Sequence, residues 1–398
     1  MFTNLLYVGD VPVEASYHGS ALLHRLLSGH PHEKLTVIET ATPSEPQRRL
    51  PSVNYISHPI GKPRWLNTRF HPYAVAWFSR AGMRVGPKIA QSLNGFRFEG
   101  VLTVAHGFGW LAAARIAGER RVPLHLMIHD DWPRAAVIAP AFRDWLDARF
   151  GDVYRQAQSR LCVSPAMSRF YQERYGKPAQ VIYPSRAADC PIFQEPPERL
   201  SRTDKPFTIA FAGTINSPGY IRALLALQDA LKSAGGRLLI FGPLTSGAAR
   251  EAGFEPQHTE VCGLLSWSDL MARLRDEADA VFVPMSFDAS DRTNMEMAFP
   301  SKLADSTATG LPLLIYGPTY CSAAVWAREI QDVAEVVEAE SQLGEAIKRL
   351  ANDPAHRVSL GRRALEVGRE YFTHDRVQEV FSAALCENSA ISAFKETI

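Results

Sequence analysis

Short apolar runs, each bounded by glycine or polar residues, recur along the whole chain. Runs of this kind, apolar without alternation, are typical of central parallel strands that are buried on both faces. Segments with helical character separate them, and this order of strands and helices predicts an α/β fold with helices on both faces of parallel sheets. The predicted strands lie at residues 5–8, 35–38, 54–56, 101–105, 124–128, 160–163, 181–183, 207–212, 237–241, 261–263, 280–285 and 313–315.

The predicted alternation of strands and helices is interrupted at residues 185–205 and resumes after them. This segment contains Pro191, Pro196 and Pro197 together with several charges, a composition that is typical of a linker. A chain of 398 residues is also too long for one core of ordinary size. We therefore predict two doubly wound domains, over residues 1–185 and 186–375.

The composition, with 46% hydrophobic and 21% charged residues, is ordinary for a globular protein. The net charge of +1 hides an asymmetry: residues 1–185 hold 22 Lys and Arg against 13 Asp and Glu, whereas the remainder holds 21 against 29. The basic half suits an anionic acceptor or anionic lipid, and the acidic half excludes a general nucleic-acid-binding protein.

The start of the chain and its cysteines predict a cytoplasmic protein. Residues 1–4 lack the basic region of a signal peptide, and no apolar run is long enough to span a bilayer. The five cysteines are scattered without paired metal-ligand spacing, which is typical of reduced thiols. Any membrane contact is therefore expected to be peripheral, on the inner face of the membrane.

Residues 62–93 mix basic and aromatic side chains. Tyr73 and Trp77 are four apart after Pro72, so they share one face of a predicted helix. One interpretation is an interfacial helix that docks on anionic lipid. The other is an ordinary helix whose aromatic side chains pack into the core. Both stay open, and Gly86-Pro87 is expected to interrupt a long helix.

The clearest candidate site lies at residues 299–315. Pro300 suits the first turn of a helix, and Lys302 and Asp305, three positions apart, project from one face of it. Gly310 permits a left-handed turn that ends the helix before an apolar strand. Because the start of a helix favours an anion, a cation and a carboxylate at this place predict a binding site for a nucleotide sugar. The alternative interpretation is an amphipathic helix on which both side chains are solvated.

This stretch reads Pro-Ser-Lys-Leu-Ala-Asp and then Ala-Thr-Gly-Leu-Pro-Leu-Leu, and it resembles the signature of glycosyltransferase family 4, a large group with the GT-B fold. The resemblance implies two Rossmann-like domains facing a cleft, with the last helix, at about residues 376–398, packing back on the first domain. It also implies a hexosyltransferase-like enzyme that retains anomeric configuration. The resemblance further implies that Asp305, at a position where the family usually has Glu, binds ribose hydroxyls of the nucleotide, and that Lys302, beside Ser301, assists the diphosphate.

The other candidate residues follow predicted strands at the carboxyl ends, where doubly wound sheets bind ligands. The resemblance implies that His129 contacts the donor sugar near the reaction centre, although a loop-packing or helix-capping histidine is an alternative interpretation. Asp130 and Asp131 are candidates to orient it or to act as a base on the acceptor hydroxyl. Gly213 and Thr214 stand where the family has its diphosphate-binding turn. The candidates on the acceptor side are His18, Gly19 and His106.

The chain departs from the family pattern at several positions. The basic residues that usually follow the diphosphate-binding glycine are missing, so Lys302 is expected to carry more of the charge, helped by Arg222 or Arg292. Met297 stands where a first Glu is usual, with Glu296 one position away. No Asp-x-Asp sequence occurs, which agrees with a reaction that uses no metal ion and no cofactor, the nucleotide-diphosphate sugar being a co-substrate.

These features together predict a glycosyltransferase that moves a sugar from a nucleotide-diphosphate donor to a saccharide or lipid-linked acceptor. A bacterial surface-polysaccharide or glycolipid product fits the basic N-terminal half. Residues 62–93 are the candidate contact with an anionic membrane, and nucleic acid is not an expected partner. Two alternatives stay open: a non-catalytic nucleotide-sugar-binding protein and a GT-B nucleotide-sugar epimerase.

Overall fold

The chain folds into two compact units, each built on a parallel sheet. A computed structural model describes residues 3–16, 18–93, 95–203, 206–215 and 217–386. The N-terminal unit comprises Met1–Ser185 and the chain from His374 onward, and the C-terminal unit comprises Arg186–Thr373. The predicted α/β fold with two Rossmann-like, doubly wound domains is confirmed.

The N-terminal unit alternates strands and helices in chain order. Its strands are β1 (Leu5–Gly9), β2 (Leu35–Glu39), β3 (Asn54–Ser57), β4 (Gly100–Val104), β5 (Leu124–Ile128), β6 (Ser159–Cys162) and β7 (Gln180–Val181). Its helices are α1 (His18–Ser28), α2 (His71–Gln91), α3 (Gly109–Arg120), α4 (Trp132–Ala135), α5 (Arg143–Gln156) and α6 (Pro165–Tyr175). Within the described residues the strands form one parallel sheet in the order β3-β2-β1-β4-β5-β6-β7.

The C-terminal unit repeats this plan. Its strands are β8 (Thr208–Ala212), β9 (Arg237–Phe241), β10 (Thr259–Gly263), β11 (Ala280–Pro284), β12 (Leu313–Tyr316) and β13 (Ala334–Val337), in the sheet order β10-β9-β8-β11-β12-β13. Its helices are α7 (Pro218–Ser233), α8 (Ser246–Glu251), α9 (Trp267–Glu277), α10 (Arg292–Met297), α11 (Ser301–Ser306), α12 (Ser322–Ile330), α13 (Glu340–Asn352) and α14 (Pro354–Tyr371). The apolar runs supply buried central strands such as β8 and β12, as expected for a sheet covered on both faces.

The last described helix, α15 (His374–Cys386), packs in the N-terminal unit. The Gln378 amide donates to the Arg25 and Leu26 carbonyl oxygens of α1, at 3.0 and 2.7 Å. Phe381 is buried in the same apolar cluster as Leu5 of β1. Of the final helix expected over about residues 376–398, residues 387–398 lie outside the described part of the chain.

Helix α2 overturns one expectation, because it continues through Gly86-Pro87 as far as Gln91. Close packing on α3 explains why the helix persists. A Cβ atom on Gly82 would stand 2.7 Å from the Phe108 carbonyl oxygen, and one on Gly86 would stand 3.1 Å from Cγ of Arg115. The two glycines let the helices approach closely, and this packing outweighs the hydrogen bond that Pro87 cannot donate.

The segment predicted as a linker is part of the C-terminal unit after its first residue. The boundary between the two units falls between Ser185 and Arg186. Leu200 is fully buried, and the Arg199 guanidinium pairs with the Asp279 carboxylate at 2.9 Å. The prolines therefore shape an extended segment that packs on the second domain.

Candidate active site

Several of the predicted site residues lie near the point where each sheet reverses its strand order. In the N-terminal unit this point lies between β1 and β4, and in the C-terminal unit between β8 and β11. Loops that leave adjacent strands in opposite directions open a crevice there, where doubly wound sheets bind ligands. His106 follows β4, and Gly213 and Thr214 follow β8. The chain after β11 leads to α11, which carries Lys302 and Asp305.

His129 follows β5 and is held uncharged by its surroundings. Burial lowers its pKa to about 4, and the charge of His106 acts in the same direction, whereas the Asp130 carboxylate opposes the shift. The Nε2 atom is buried and has no hydrogen-bond partner among the described residues. A neutral imidazole with an unused nitrogen suits hydrogen bonding to a polar ligand better than proton transfer at neutral pH.

The first turn of α1 lies beside His129. A Cβ atom on Gly19 would stand 3.1 Å from the His129 Nδ1 atom and 3.8 Å from Val11. The structure thus brings together one predicted acceptor-side residue and the predicted catalytic histidine. The side chain of His18, the other candidate at the start of α1, lies outside what the structure describes.

His106 is exposed, and its ring packs on the indole of Trp132, with the ring centroids 4.6 Å apart. Trp132 begins α4, directly after the strand-end sequence that contains His129. The indole Nε1 atom is buried without a hydrogen-bond partner among the described residues. Trp132 was not a sequence candidate, although a tryptophan just after three polar strand-end residues is a usable signal.

The two aspartates after His129 differ in their environment. Asp130 is exposed, and its charge acts on His129. Asp131 is buried; its Oδ1 atom accepts a hydrogen bond from the Tyr171 hydroxyl at 2.8 Å, and its Oδ2 atom pairs with Arg134. Because both of its oxygens are engaged, Asp131 anchors α4 and is not placed to take a proton from an acceptor.

Asp10 is a site residue that the sequence analysis missed. It follows β1, and its carboxylate accepts hydrogen bonds from the Thr40 hydroxyl and from the backbone N–H groups of Phe108 and Gly109 at the start of α3. Burial raises its pKa, although these hydrogen bonds act in the opposite direction. Gly107 has a φ of +59°, and a Cβ atom there would overlap the carboxylate. Asp10 therefore fixes the loop that carries His106.

The Lys302 side chain contacts the turn after β8 in the C-terminal unit. Its ammonium group donates to the Thr214 carbonyl oxygen at 2.9 Å and lies 4.5 Å from the centroid of the Phe211 ring. Gly213 has a φ of +144°, and a Cβ atom on it would stand 2.4 Å from Cε of Lys302. Burial lowers the pKa of Lys302 to about 8. A partly desolvated cation beside a backbone turn is a strong phosphate-binding arrangement.

Helix α11 is short, with six residues, and presents three of the predicted donor-site residues. Ser301 is exposed at its first position, Lys302 follows, and Asp305 is half-buried one turn later. Lys302 and Asp305 thus share one helical face, as their spacing predicts. Both stand on a rigid support, because Leu303 and Ala304 between them are fully buried.

The arginines expected to help Lys302 have other partners. Arg222 pairs with the Asp288 carboxylate, and the Arg292 guanidinium lies 4.3 Å from the centroid of the Tyr320 ring. At the position of the usual first Glu, Met297 is 5% exposed and so belongs to the core, whereas Glu296 is half-buried. Among the residues that the structure describes, Lys302 is thus the cation that bonds the Gly213–Thr214 turn.

Comparisons with known proteins agree on the class of protein. Residues 21–185 match the model of Glycosyltransferase Family 4. The whole chain is similar in structure to HepE of Anabaena in complex with UDP and glucose (TM-score 0.65, 13% identity, 96% of this chain and 99% of that chain). No curated protein matches the chain in sequence.

The chain is a glycosyltransferase. Two further neighbours are WaaG, a glycosyltransferase of lipopolysaccharide biosynthesis (TM-score 0.61, 14% identity, 96% of this chain and 99% of that chain), and α,α-trehalose 6-phosphate synthase of Burkholderia multivorans (TM-score 0.63, 13% identity, 98% and 100%). At these identities the similarity shows the fold, which is GT-B. The recognition of a family 4 glycosyltransferase from the signature at residues 300–314 is confirmed, although the matched region lies in the other domain.

Two features are absent from the described residues of this glycosyltransferase. These residues contain no cluster of three or more His, Cys, Asp or Glu side chains that could hold a metal ion. None of their helices is long and apolar enough to cross a membrane.

Proposed function

We propose that this glycosyltransferase moves a sugar from a nucleotide-diphosphate sugar to an acceptor hydroxyl, with retention of configuration and without a metal ion or cofactor. The observation that carries the proposal is the contact of the half-buried Lys302 ammonium group with the Gly213–Thr214 turn. Asp305 lies on the same face of α11, where it suits the ribose hydroxyls. Neighbours bound to UDP with glucose, or to UDP-glucose, support a nucleotide of this class.

The reaction breaks the bond between C1 of the sugar and the diphosphate and forms a bond between C1 and the acceptor oxygen. The acceptor proton leaves on an oxygen of the departing diphosphate. Lys302 offsets the negative charge that develops on this group, a role that a desolvated cation fulfils well. His129, whose pKa is about 4, stays uncharged and hydrogen-bonds the donor sugar without taking the proton.

Thermal stability in the presence of UDP, GDP, ADP, CMP and dTDP tests the nucleotide site, because a ligand of the native state raises the unfolding midpoint. One nucleotide should stabilise the wild type, and Lys302→Met and Asp305→Ala should each lose the shift. Lys232→Met is the matched control, since Lys232 lies in the same unit in a surface pair with Glu255. If no nucleotide shifts the midpoint even at millimolar concentration, the proposal fails.

The reaction products distinguish a glycosyltransferase from an epimerase and from a non-catalytic binding protein. A transferase releases nucleoside diphosphate in proportion to the acceptor sugar supplied. An epimerase converts the donor without an acceptor, and a binding protein shows a stability shift with no product. Anomeric configuration is read by NMR of the product, and activity in excess chelator tests metal independence.

We further propose that helix α2 and the segment before it face an anionic membrane surface, as a lipid-linked acceptor in surface-polysaccharide or glycolipid synthesis would require. Tyr73 is 63% and Trp77 70% exposed, whereas Phe78 is buried against Phe108, so the helix has one outward and one inward aromatic face. Residues 46–98 hold nine Lys and Arg and no Asp or Glu. Exposed aromatic rings among basic residues suit the interface of an anionic bilayer.

Sedimentation with vesicles tests this surface. Anionic phosphatidylglycerol vesicles should retain the protein at low salt and release it at high salt, and neutral phosphatidylcholine vesicles should not retain it. The double variant Tyr73→Ser, Trp77→Ser should lose retention. Ile192→Ser, which removes an equally exposed apolar side chain from the C-terminal unit, should keep it. Equal retention of all three proteins would contradict the proposal.

A further inference from the structure

A buried arginine stands at the first position of the C-terminal unit. Arg186 is 5% exposed, and its backbone N–H donates to the Phe372 carbonyl oxygen at 2.9 Å. Its guanidinium donates from Nε to the Ala304 carbonyl oxygen at 3.1 Å and from Nη2 to the Thr307 hydroxyl at 2.8 Å. Both acceptors belong to the last turn of α11 and its end, and they lie on either side of Asp305 in the sequence.

This contact compensates for a weakness of α11. A helix of six residues has little stability of its own, because nucleation is costly and few internal hydrogen bonds follow. A cation at the carboxyl end of a helix bonds carbonyl oxygens that lack an internal partner. The Thr307 hydroxyl also donates to the Ala304 carbonyl oxygen at 2.7 Å, so Arg186, Thr307 and Ala304 form a closed set of hydrogen bonds.

The absence of a side chain at Gly368 leaves space for the Arg186 guanidinium. A Cβ atom on Gly368 of α14 would stand 1.9 Å from Nη2 of Arg186 and 2.7 Å from the Thr307 hydroxyl oxygen. Any other residue at position 368 would displace the arginine from α11. The charge of Asp305 also acts on Arg186 and favours the charged guanidinium against its burial. Charge and space thus both connect Arg186 to the residue that faces the nucleotide.

We propose that Arg186 is a positioning residue for the donor site, which fixes the turn at the end of α11 and with it the carboxylate of Asp305 toward the ribose. The proposal rests on the proposed function, since it needs Asp305 to bind ribose hydroxyls. Arg186 itself does not contact the nucleotide. Its removal therefore lowers the discrimination between ribose and deoxyribose, and the diphosphate contact through Lys302 remains.

The measurement is the ratio of dissociation constants for a 2′-deoxynucleoside diphosphate and its ribonucleoside diphosphate, with the deoxy and ribo forms of UDP, GDP and ADP as the three pairs of probes. In the wild type the lost hydrogen bond should weaken binding by about tenfold for the nucleotide that binds. In Asp305→Asn the ratio should fall toward one. In Arg186→Lys and in Thr307→Val, which keeps the arginine and removes one of its acceptors, it should fall by at least about threefold.

The matched control is Arg357, a second buried arginine of the same unit, 1% exposed. Its guanidinium donates to the carbonyl oxygens of Leu200, Arg202, Leu350 and Ala351, none of which belongs to α11. Arg357→Lys should lower the unfolding midpoint and leave the ribose ratio unchanged. A purely structural role of Arg186 predicts the same result for Arg186→Lys.

The possible outcomes distinguish a failure of the positioning proposal from a failure of the proposed function. A ratio that falls in Asp305→Asn, Arg186→Lys and Thr307→Val but not in Arg357→Lys supports the proposal. A ratio that falls in Asp305→Asn and is kept in both Arg186→Lys and Thr307→Val overturns it and leaves the proposed function intact. A wild type that binds none of UDP, GDP and ADP overturns the positioning proposal, and one that also binds neither CMP nor dTDP overturns the proposed function with it. An Asp305→Asn protein with an unchanged ratio overturns the ribose contact and therefore the positioning role. Should Arg186→Lys fail to fold, Thr307→Val decides between these results.

Discussion

Gly19 lies against His129, so that a Cβ atom on Gly19 would stand 3.1 Å from the Nδ1 atom of the ring. This separation is shorter than ordinary van der Waals contact, and either the start of α1 or the imidazole must move to admit a methyl group. The sequence places these residues about 110 positions apart and gives no sign of the contact. The histidine therefore depends on α1 for its orientation.

Gly19→Ala tests this dependence. We expect the rate of sugar transfer to fall by roughly tenfold, because a small displacement of a group at the reacting centre is costly, whereas UDP affinity stays unchanged. Steady-state kinetics and UDP titration of the same preparation measure the two quantities. Gly118→Ala on α3 is the control, since a Cβ atom there meets nothing within 4 Å. Equal rates for both variants would contradict the prediction.

Lys302 gives nucleotide binding a pH dependence. Its pKa is lowered to about 8 by burial, so the ammonium form that attracts the diphosphate is lost as the pH rises through this value. We expect UDP affinity to be constant from pH 6.5 to about 7.5 and to decrease above pH 8. A bound diphosphate favours the charged amine and moves the decrease to higher pH at saturation.

Titration of UDP at a series of pH values, at constant ionic strength, measures this dependence. Lys302→Met should bind more weakly at pH 7 and show no decrease between pH 7.5 and 9. Lys232→Met, which removes a surface cation of the same unit, should follow the wild type. A wild-type affinity that is constant up to pH 9 would show that the charge of Lys302 does not contribute to binding.

The sequence predicts the sheets well because buried parallel strands leave a simple signal. Runs such as residues 5–8 and 280–285 are apolar without alternation, which is typical of a central strand that is buried on both faces. Strand β13 (Ala334–Val337) was missed, since its half-buried edge position leaves a shorter and mixed pattern. Helix α2 was expected to break at Gly86-Pro87, because packing on α3 cannot be read from local propensity.

The sequence predicts the site residues only where they lie close together along the chain. Lys302 and Asp305 are three positions apart on one helix, so their common face follows from helical geometry. Asp10, by contrast, bonds Thr40, Phe108 and Gly109, which are 30 to 99 positions away. Arg186 lies in a segment whose prolines indicate a linker. The roles of Asp10 and Arg186 depend on partners that are distant in the sequence, and only the folded structure brings them together.

Asp10 should contribute strongly to the stability of the N-terminal unit. Asp10→Asn replaces one acceptor oxygen with an amide group that faces backbone N–H donors, and buried donors without an acceptor are costly. We expect a loss of about 2–4 kcal/mol in the free energy of unfolding, measured by urea denaturation at pH 7. Thr40→Val, which removes one of the three donors, should lose about 1 kcal/mol. A smaller loss for Asp10→Asn than for Thr40→Val would contradict this account.

His125 should make the protein sensitive to acid. It is 3% exposed on β5, its Nδ1 atom lies 2.8 Å from the Ser159 hydroxyl, and burial lowers its pKa to about 4. Between pH 6.5 and 4 the unfolded chain binds a proton at this residue and the folded chain does not, so stability falls as the pH falls through this window. The full effect of this one residue is on the order of 3 kcal/mol.

Urea unfolding at pH 7 and pH 5 measures the effect. The wild type should be less stable at pH 5, and His125→Gln should lose less stability between the two pH values than the wild type does. Ile192→Ser serves as the control, because it changes an exposed side chain and removes no titratable group, so it should lose as much stability as the wild type. His129, whose pKa is also about 4, adds to the same loss, so the His125 variant should keep part of it. If His125→Gln and the wild type lose the same stability, burial of this imidazole does not underlie the acid sensitivity.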